Sequence, residues 1–147
     1  MKILIDADAC PVVKITEQVA REKKLELVLV CDTAHELYSE YAKVIRVDKG
    51  ADSADFRLIM LADKGDIIVT QDYGVASMAL GKGVHPIHQS GKWYTKDNID
   101  LMMMERHIAK TERRKSSKNH LKGPKKRTPE DDYRFEQSLR LLIEKIM

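Results

Sequence analysis

Three apolar residues in a row, Ile3-Leu4-Ile5, open the chain and stop at Asp6. A short unbroken run of this kind fits a strand covered on both faces. From Pro11 the period changes, and Val12, Ile15, Val19 and Ala20 recur at helical spacing. The alternation then repeats along the chain. Strands are predicted at 2–6, 25–31, 43–47, 66–70 and 84–88. Helices are predicted at 11–23, at 35–41, from Gly50 to Asp63, at 75–80 and at 96–111. Strands separated by helices predict an α/β fold, three layers deep (α/β/α), around a mainly parallel five-stranded sheet. A last helix is signalled by Thr128 as N-cap, Pro129 at the first helical position and Glu130 and Asp131 in the first turn. Its apolar stripe, Phe135, Leu139, Leu142, Ile143 and Ile146, must be covered by its own domain or by a second copy. A homodimer through this C-terminal helix is therefore one expectation.

Composition adds an uneven charge. The 147 residues carry a formal charge of only +3. Residues 106–127 hold ten Lys and Arg against Glu112 alone, a net +9, so the remainder sums to −6. An acidic body with a concentrated basic stretch is a polyanion-binding pattern. The organisation expected is an α/β domain over 1–111, a basic linker over 112–127 and an amphipathic helix over 128–147. Arg113, Arg114, Lys115, Lys122, Lys125, Lys126 and Arg127 are the candidate nucleic-acid contacts. The linker has no aromatic residue, so it should grip phosphates with little base readout. No apolar run approaches membrane-spanning length, and Lys2 leads at once into the first strand. A cytoplasmic protein with no membrane partner is expected. Cys10 and Cys31 form no CxxC pair and read as reduced thiols.

The candidate chemistry lies in aspartates at comparable places. Asp6 and Asp8 follow the first strand, Asp72 follows the fourth, and Asp52 and Asp55 open the helix before the fourth. In a parallel sheet all strand C-termini share one edge, where α/β proteins build their sites. Asp52 and Asp55 share a helix face. Asp6 and Asp8 point to one side if the extended backbone continues through Ala7. Gathered carboxylates repel and are costly to bury unpaired, and a hard divalent cation relieves both costs. Asp6, Asp8, Asp55 and Asp72 are thus candidate catalytic acids, and Asp6, Asp52, Asp55 and Asp72 candidate ligands for Mg²⁺ or Mn²⁺. Each also has an ordinary use: Asp72 as a helix cap, Asp52 and Asp55 in a capping-box-like first turn. Thr70 can serve a phosphate, a metal-bound water or a cap. Trp93-Tyr94 reads first as packing and second as a base-stacking platform. His85 and His88 read as strand-edge residues, and Met102-Met103-Met104 as helix packing.

Four stretches together resemble the YaiI/YqxD family of uncharacterised bacterial proteins: Asp6-Ala-Asp8-Ala-Cys10-Pro11-Val12, Gly50-Ala-Asp52-Ser53-Ala-Asp55, Thr70-Gln71-Asp72-Tyr73-Gly74, and Lys122-Gly123-Pro124-Lys125-Lys126-Arg127 with the Phe135 helix after it. That family looks related to PIN-like domains, including the NYN nucleases. The resemblance implies sheet order 3-2-1-4-5, with the strands ending at Asp6 and Asp72 as neighbours. It implies Mg²⁺ or Mn²⁺ on acids at the C-terminal sheet edge and cleavage of single-stranded RNA. Asp6 would be the first acid, Asp52 or Asp55 the middle one and Asp72 the later one; the usual fourth acid has no firm match.

The reading favoured is a divalent-metal-dependent nuclease acting on RNA. Two others stand beside it. Ile-Leu-Ile-Asp6-Ala-Asp8 also looks like the opening of a haloacid-dehalogenase-type phosphatase, with Asp6 as nucleophile. Against it, Cys10 stands where Thr or Val is usual, and Asp52/Asp55 precede Thr70 instead of following it. The third is a non-catalytic RNA- or ribosome-binding protein, whose binding would be salt-dependent and metal-independent.

Overall fold

The computed structural model describes residues 1–32, 37–48, 53–115 and 126–147, with backbone alone at Ser53 and at 113–115. In chain order the elements are β1 (Lys2–Asp6), α1 (Val13–Lys23), β2 (Glu26–Asp32), β3 (Lys43–Val47), α2 (Ser53–Leu61), β4 (Ile67–Val69), α3 (Tyr73–Lys82), β5 (His85–Ile87), α4 (Ile99–Lys115) and α5 (Pro129–Ile146). The five strands form one parallel sheet in the order β3-β2-β1-β4-β5. This is the order the resemblance implies. The central strand β1 pairs Ile5 with Leu29 on one side and with Val69 on the other.

Alternate residues of the apolar strands serve opposite faces. Ile3, Ile5, Leu27 and Leu29 pack with Val19 and Ala20 of α1 and with Phe135, Leu139, Leu142 and Ile143 of α5. Leu4, Val28, Val30 and Ile68 pack with Leu58 and Ala62 on the α2 side and Val75 and Ala79 of α3. The three layers follow from that division. The α4 helix stands outside them and reaches the body through Ile99 and Met102, packed on Ala76 and Tyr94. Met103 and Met104 are exposed, so of the three consecutive methionines only Met102 packs as expected. The stripe of α5 is buried within its own chain, and Arg140 bonds Glu22 of α1 at 2.8 Å. Phe135, Leu139, Leu142 and Ile143 are thus covered within the chain, with Ile146 partly so. At Gly91, φ is +94° and an added Cβ would lie 3.1 Å from the Arg134 carbonyl oxygen, so only glycine lets α5 approach this closely.

Local chemistry moved several boundaries. The helix expected at 35–41 is absent over 37–41, and 33–36 lie outside the described residues. The Ser39 hydroxyl accepts from the N–H groups of Tyr41 and Ala42, a local competitor to helix formation. The first helix starts at Val13 and leaves Pro11 in the preceding turn, where Cys10 N–H donates to Ala7 C=O and Ala9 takes φ +56°. The third helix begins earlier than expected, at Tyr73, and runs through Gly81 to a left-handed cap at Gly83. Asn98 and Thr95 cap each other's N–H groups, which delays α4 to Ile99. That helix continues to Lys115, so the first residues of the basic stretch are helical.

At the N-terminal sheet edge, Lys2 bonds Asp63 at 2.8 Å and Asp66 at 2.7 Å. Asp66 also accepts from the N–H of Lys2 and of Asp63, so the carboxylates of this corner are satisfied structurally. No helix among the described residues is long and apolar enough to cross a membrane.

Candidate functional site

The opposite edge carries the ends of β1 and β4, with Asp6 on one and Asp72 just past the other. The central strand ends on Asp6, half-buried at the middle of the C-terminal edge. Its neighbour β4 runs directly into Thr70, which is buried. The Thr70 hydroxyl donates to Asp6 Oδ2 at 3.4 Å and accepts the N–H of Asp72 at 3.0 Å. One threonine thus ties the end of β1 to the start of α3. From behind, the Tyr94 hydroxyl donates to the Thr70 carbonyl at 3.1 Å. The structural role that the sequence allowed Thr70 is the one observed, and it falls between two candidate acids.

Asp72 caps α3: its Oδ1 accepts from Gly74 N–H at 2.7 Å and Val75 N–H at 3.1 Å. Its second oxygen makes neither of these bonds, so the cap leaves it for another use. Asp55 lies in the first turn of α2. Past Asp6 the ladder continues to Ala7, whose N–H donates to Val30 C=O at 2.9 Å and whose side chain packs with Ile3 and Ile5. The Asp8 carboxylate accepts from Asp32 N–H at 3.2 Å, at the end of β2. Asp52 lies outside the described residues.

The electrostatics of Asp6 report how these groups converge. Burial pushes its carboxyl up to about 6, and the charges of Asp55, Asp8 and Asp72 add to the shift in that order. The Thr70 hydrogen bond opposes them only partly. Asp8, two residues on, and Asp55 and Asp72, from two other stretches of chain, thus act on one central carboxyl. Among the described residues, no three His, Cys, Asp or Glu side chains stand close enough to form a finished metal cage. A hard cation that keeps several of its waters needs only one or two carboxylates. Such a cation would be held by one or two of Asp6, Asp55 and Asp72, the described acids whose charges act together at this edge.

The other candidates fall elsewhere. His85 begins β5 and so lies at the far edge. His88 accepts from Ser90 N–H in a turn and packs edge-on to Tyr94 at 6.1 Å. Trp93 packs on the α5 side of the core, with the Lys145 ammonium 5.4 Å from its ring centre, and Tyr94 is buried, as the packing expectation had it. Both cysteines are free thiols, Cys10 half-buried and Cys31 buried. Arg127 is held by Asp132 at 2.6 Å and by the Gln89 carbonyl at 3.0 Å. Lys126 is exposed. The side chains of Arg113, Arg114 and Lys115, and all of Lys122 and Lys125, lie outside the described residues.

Three residues absent from the sequence-derived site line a groove that begins at Asp72: Tyr73, Arg106 and Lys110. Tyr73 stood inside the Thr70–Gly74 motif and both cations inside the +9 stretch. Neither pattern says that α4 folds back beside α3.

Comparison with known proteins gives three findings. The family model described as "Uncharacterized BCR, YaiI/YqxD family" matches residues 4–145. A UPF0178 protein of Clostridium acetobutylicum is 63% identical over 143 residues, which is 97% of either chain, and one of Lachnoclostridium phytofermentans is 53% identical over 147 residues, 99% of either chain. Among solved structures, Rae1 (YacP) of Bacillus subtilis, a W164L mutant, aligns over 99% of both chains at 16% identity and a TM-score of 0.45.

Proposed function

The chain belongs to the YaiI/YqxD family, and from that footing we propose that it is a divalent-metal-dependent hydrolase of RNA phosphodiesters, working at the sheet edge around Asp6. The observation that carries this reading is that Thr70 ties the half-buried Asp6 at the end of β1 to Asp72 at the start of α3, where the charges of Asp55, Asp8 and Asp72 all act on Asp6. A structural cap or surface acid has no reason to gather three like charges around it; a cation site has.

The chain's own groups divide the work. One or two of Asp6, Asp55 and Asp72 would hold a Mg²⁺ or Mn²⁺ ion, which would supply polarisation of the phosphoryl oxygen and an activated water. Thr70 fixes the relative positions of Asp6 and Asp72 through its hydroxyl. Asp72 keeps Oδ1 on the α3 cap and offers its other oxygen to the site. The cap contact suits an asparagine as well, so Asp72→Asn separates charge from folding. The basic residues, Lys126 and the 113–125 cations among them, hold the strand by its phosphates.

The test is cleavage of an end-labelled single-stranded oligoribonucleotide with Mn²⁺. Asp6→Asn and Asp72→Asn should each slow cutting about 10²-fold or more, since a metal centre contributes several kcal/mol and each 1.36 kcal/mol is tenfold. Equal cutting by the Asn variants, or release of phosphate from small phosphomonoesters with the oligonucleotide left intact, would overturn the reading.

A further inference from the structure

The acid-lined edge opens on one side into a groove of about 360 Å³ between the start of α3 and the side of α4. Asp72 and Tyr73 form one wall, and Met103, Arg106, His107 and Lys110 form the other. Ligand-sized clefts begin at roughly 300 Å³, so the groove has room for a nucleotide-sized group.

Its chemistry narrows what would enter. Arg106 and Lys110 are exposed and sit one helical turn apart, and neither makes an ion pair among the described residues. Like charges at that spacing repel, and an anion between them removes the repulsion. Tyr73 supplies a second kind of surface. Its ring is held edge-on by Tyr94, with centres 5.6 Å apart at 84°, and the Arg106 guanidinium lies 5.4 Å from its centre. A partly exposed aromatic ring with a guanidinium beside it is a ready stacking surface for a nucleobase. Asp72 belongs both to this groove and to the acids around Asp6. Whatever lies in the groove therefore lies beside the reacting edge.

We propose that this groove binds the single-stranded nucleic acid next to the bond that is cut, with phosphates on Arg106 and Lys110 and one unpaired base on the Tyr73–Arg106 stack. The assignment of that strand as substrate rests on the hydrolase reading above; the binding itself does not. A base inside a duplex has both faces covered by its neighbours, so the stack admits single strands and refuses duplexes. RNA and DNA strands share the phosphate and base chemistry involved.

The experiment is fluorescence anisotropy with the full-length protein in EDTA, at several salt concentrations. The ligands are a labelled 12-nucleotide oligouridylate, the matching oligodeoxythymidylate and an RNA duplex. Replacing both cations, Arg106→Ala with Lys110→Ala, should lower the slope of log affinity against log salt by about 1.4, at roughly 0.7 per phosphate of a single strand. Lys43→Ala with Lys64→Ala, exposed at the far sheet edge, should leave the slope unchanged. Tyr73→Leu should weaken single-strand binding about fivefold or more, the effect of losing one stacked base. Tyr73→Phe keeps the ring and should bind as the natural chain does, which separates stacking from folding. Binding of either single strand with these effects supports the groove, and the RNA-to-DNA ratio reports whether the sugar contributes. An unchanged slope in the double variant, or a duplex held as tightly as a single strand, overturns it. Cutting is scored separately. If Asp6→Asn abolishes cutting while the groove variants bind normally, the groove is wrong and the hydrolase stands; if Asp6→Asn cuts normally while the groove variants lose binding, the reverse holds.

Discussion

Asp6 holds its proton more tightly in the fold than in the unfolded chain, and that has a sign. Its carboxyl lies at about 6, against an ordinary value of 3.8. Below pH 4 both states are protonated and the site costs nothing. As pH rises from 4 to 6 the unfolded chain releases its proton first, so stability falls, and above 6 the full cost remains. Without a divalent ion, Asp6→Asn should therefore melt higher than the natural chain at pH 7.5, and the gap should close as pH drops toward 4. Mn²⁺ should raise the melting temperature of the natural chain more than that of the variant. A metal-free variant less stable at pH 7.5 would show that the Asp6 charge is well accommodated, contrary to the surroundings described. The presence of these acids was legible from the sequence, because Asp6 follows an apolar run and Asp72 follows another. The partner of Asp8 was not: it is the N–H of Asp32, which reaches Asp8 only because β2 runs beside β1 and ends there.

Among the elements, α5 is the clearest case of a pattern stating its own requirement. Its stripe had to be covered, and the sequence left open by what. The fold answers with the face of the sheet carrying Ile3, Ile5, Leu27 and Leu29. Phe135 is fully buried there, so Phe135→Ala should cost about 3–5 kcal/mol in a denaturant titration. A loss below 1 kcal/mol would mean that α5 is a loosely docked appendage. The strands and their order were legible because short apolar runs alternate with helical periods and the motif resemblance supplied the order. The helix expected at 35–41 failed over its described part for a local reason: Ser39 satisfies two backbone N–H groups itself. The groove beside α4 was illegible for a non-local one. Arg106 and Lys110 are ordinary members of a basic stretch until Ile99 and Met102 pack that helix against Ala76 and Tyr94.

Across the whole molecule, charge and topology complement each other. An acidic body of net −6 carries Asp6 and Asp72 at the C-terminal sheet edge, and the +9 stretch begins on α4 beside that edge and returns at Arg127. A polyanion attracted by the basic stretch is thereby brought to the acids that would otherwise repel it, and salt should weaken its capture.

The packing of α5 into the main core also decides what a break in the chain would do. Residues 128–147 complete the interior of a sheet whose strands all precede residue 88. A protease nick between 116 and 125 would separate the covalent chain into two pieces that still need each other's apolar faces. The nicked protein should run as one species in native gel filtration and as two only in denaturant. The short piece supplied in trans should restore a long piece made without it, as a split reporter reassembles.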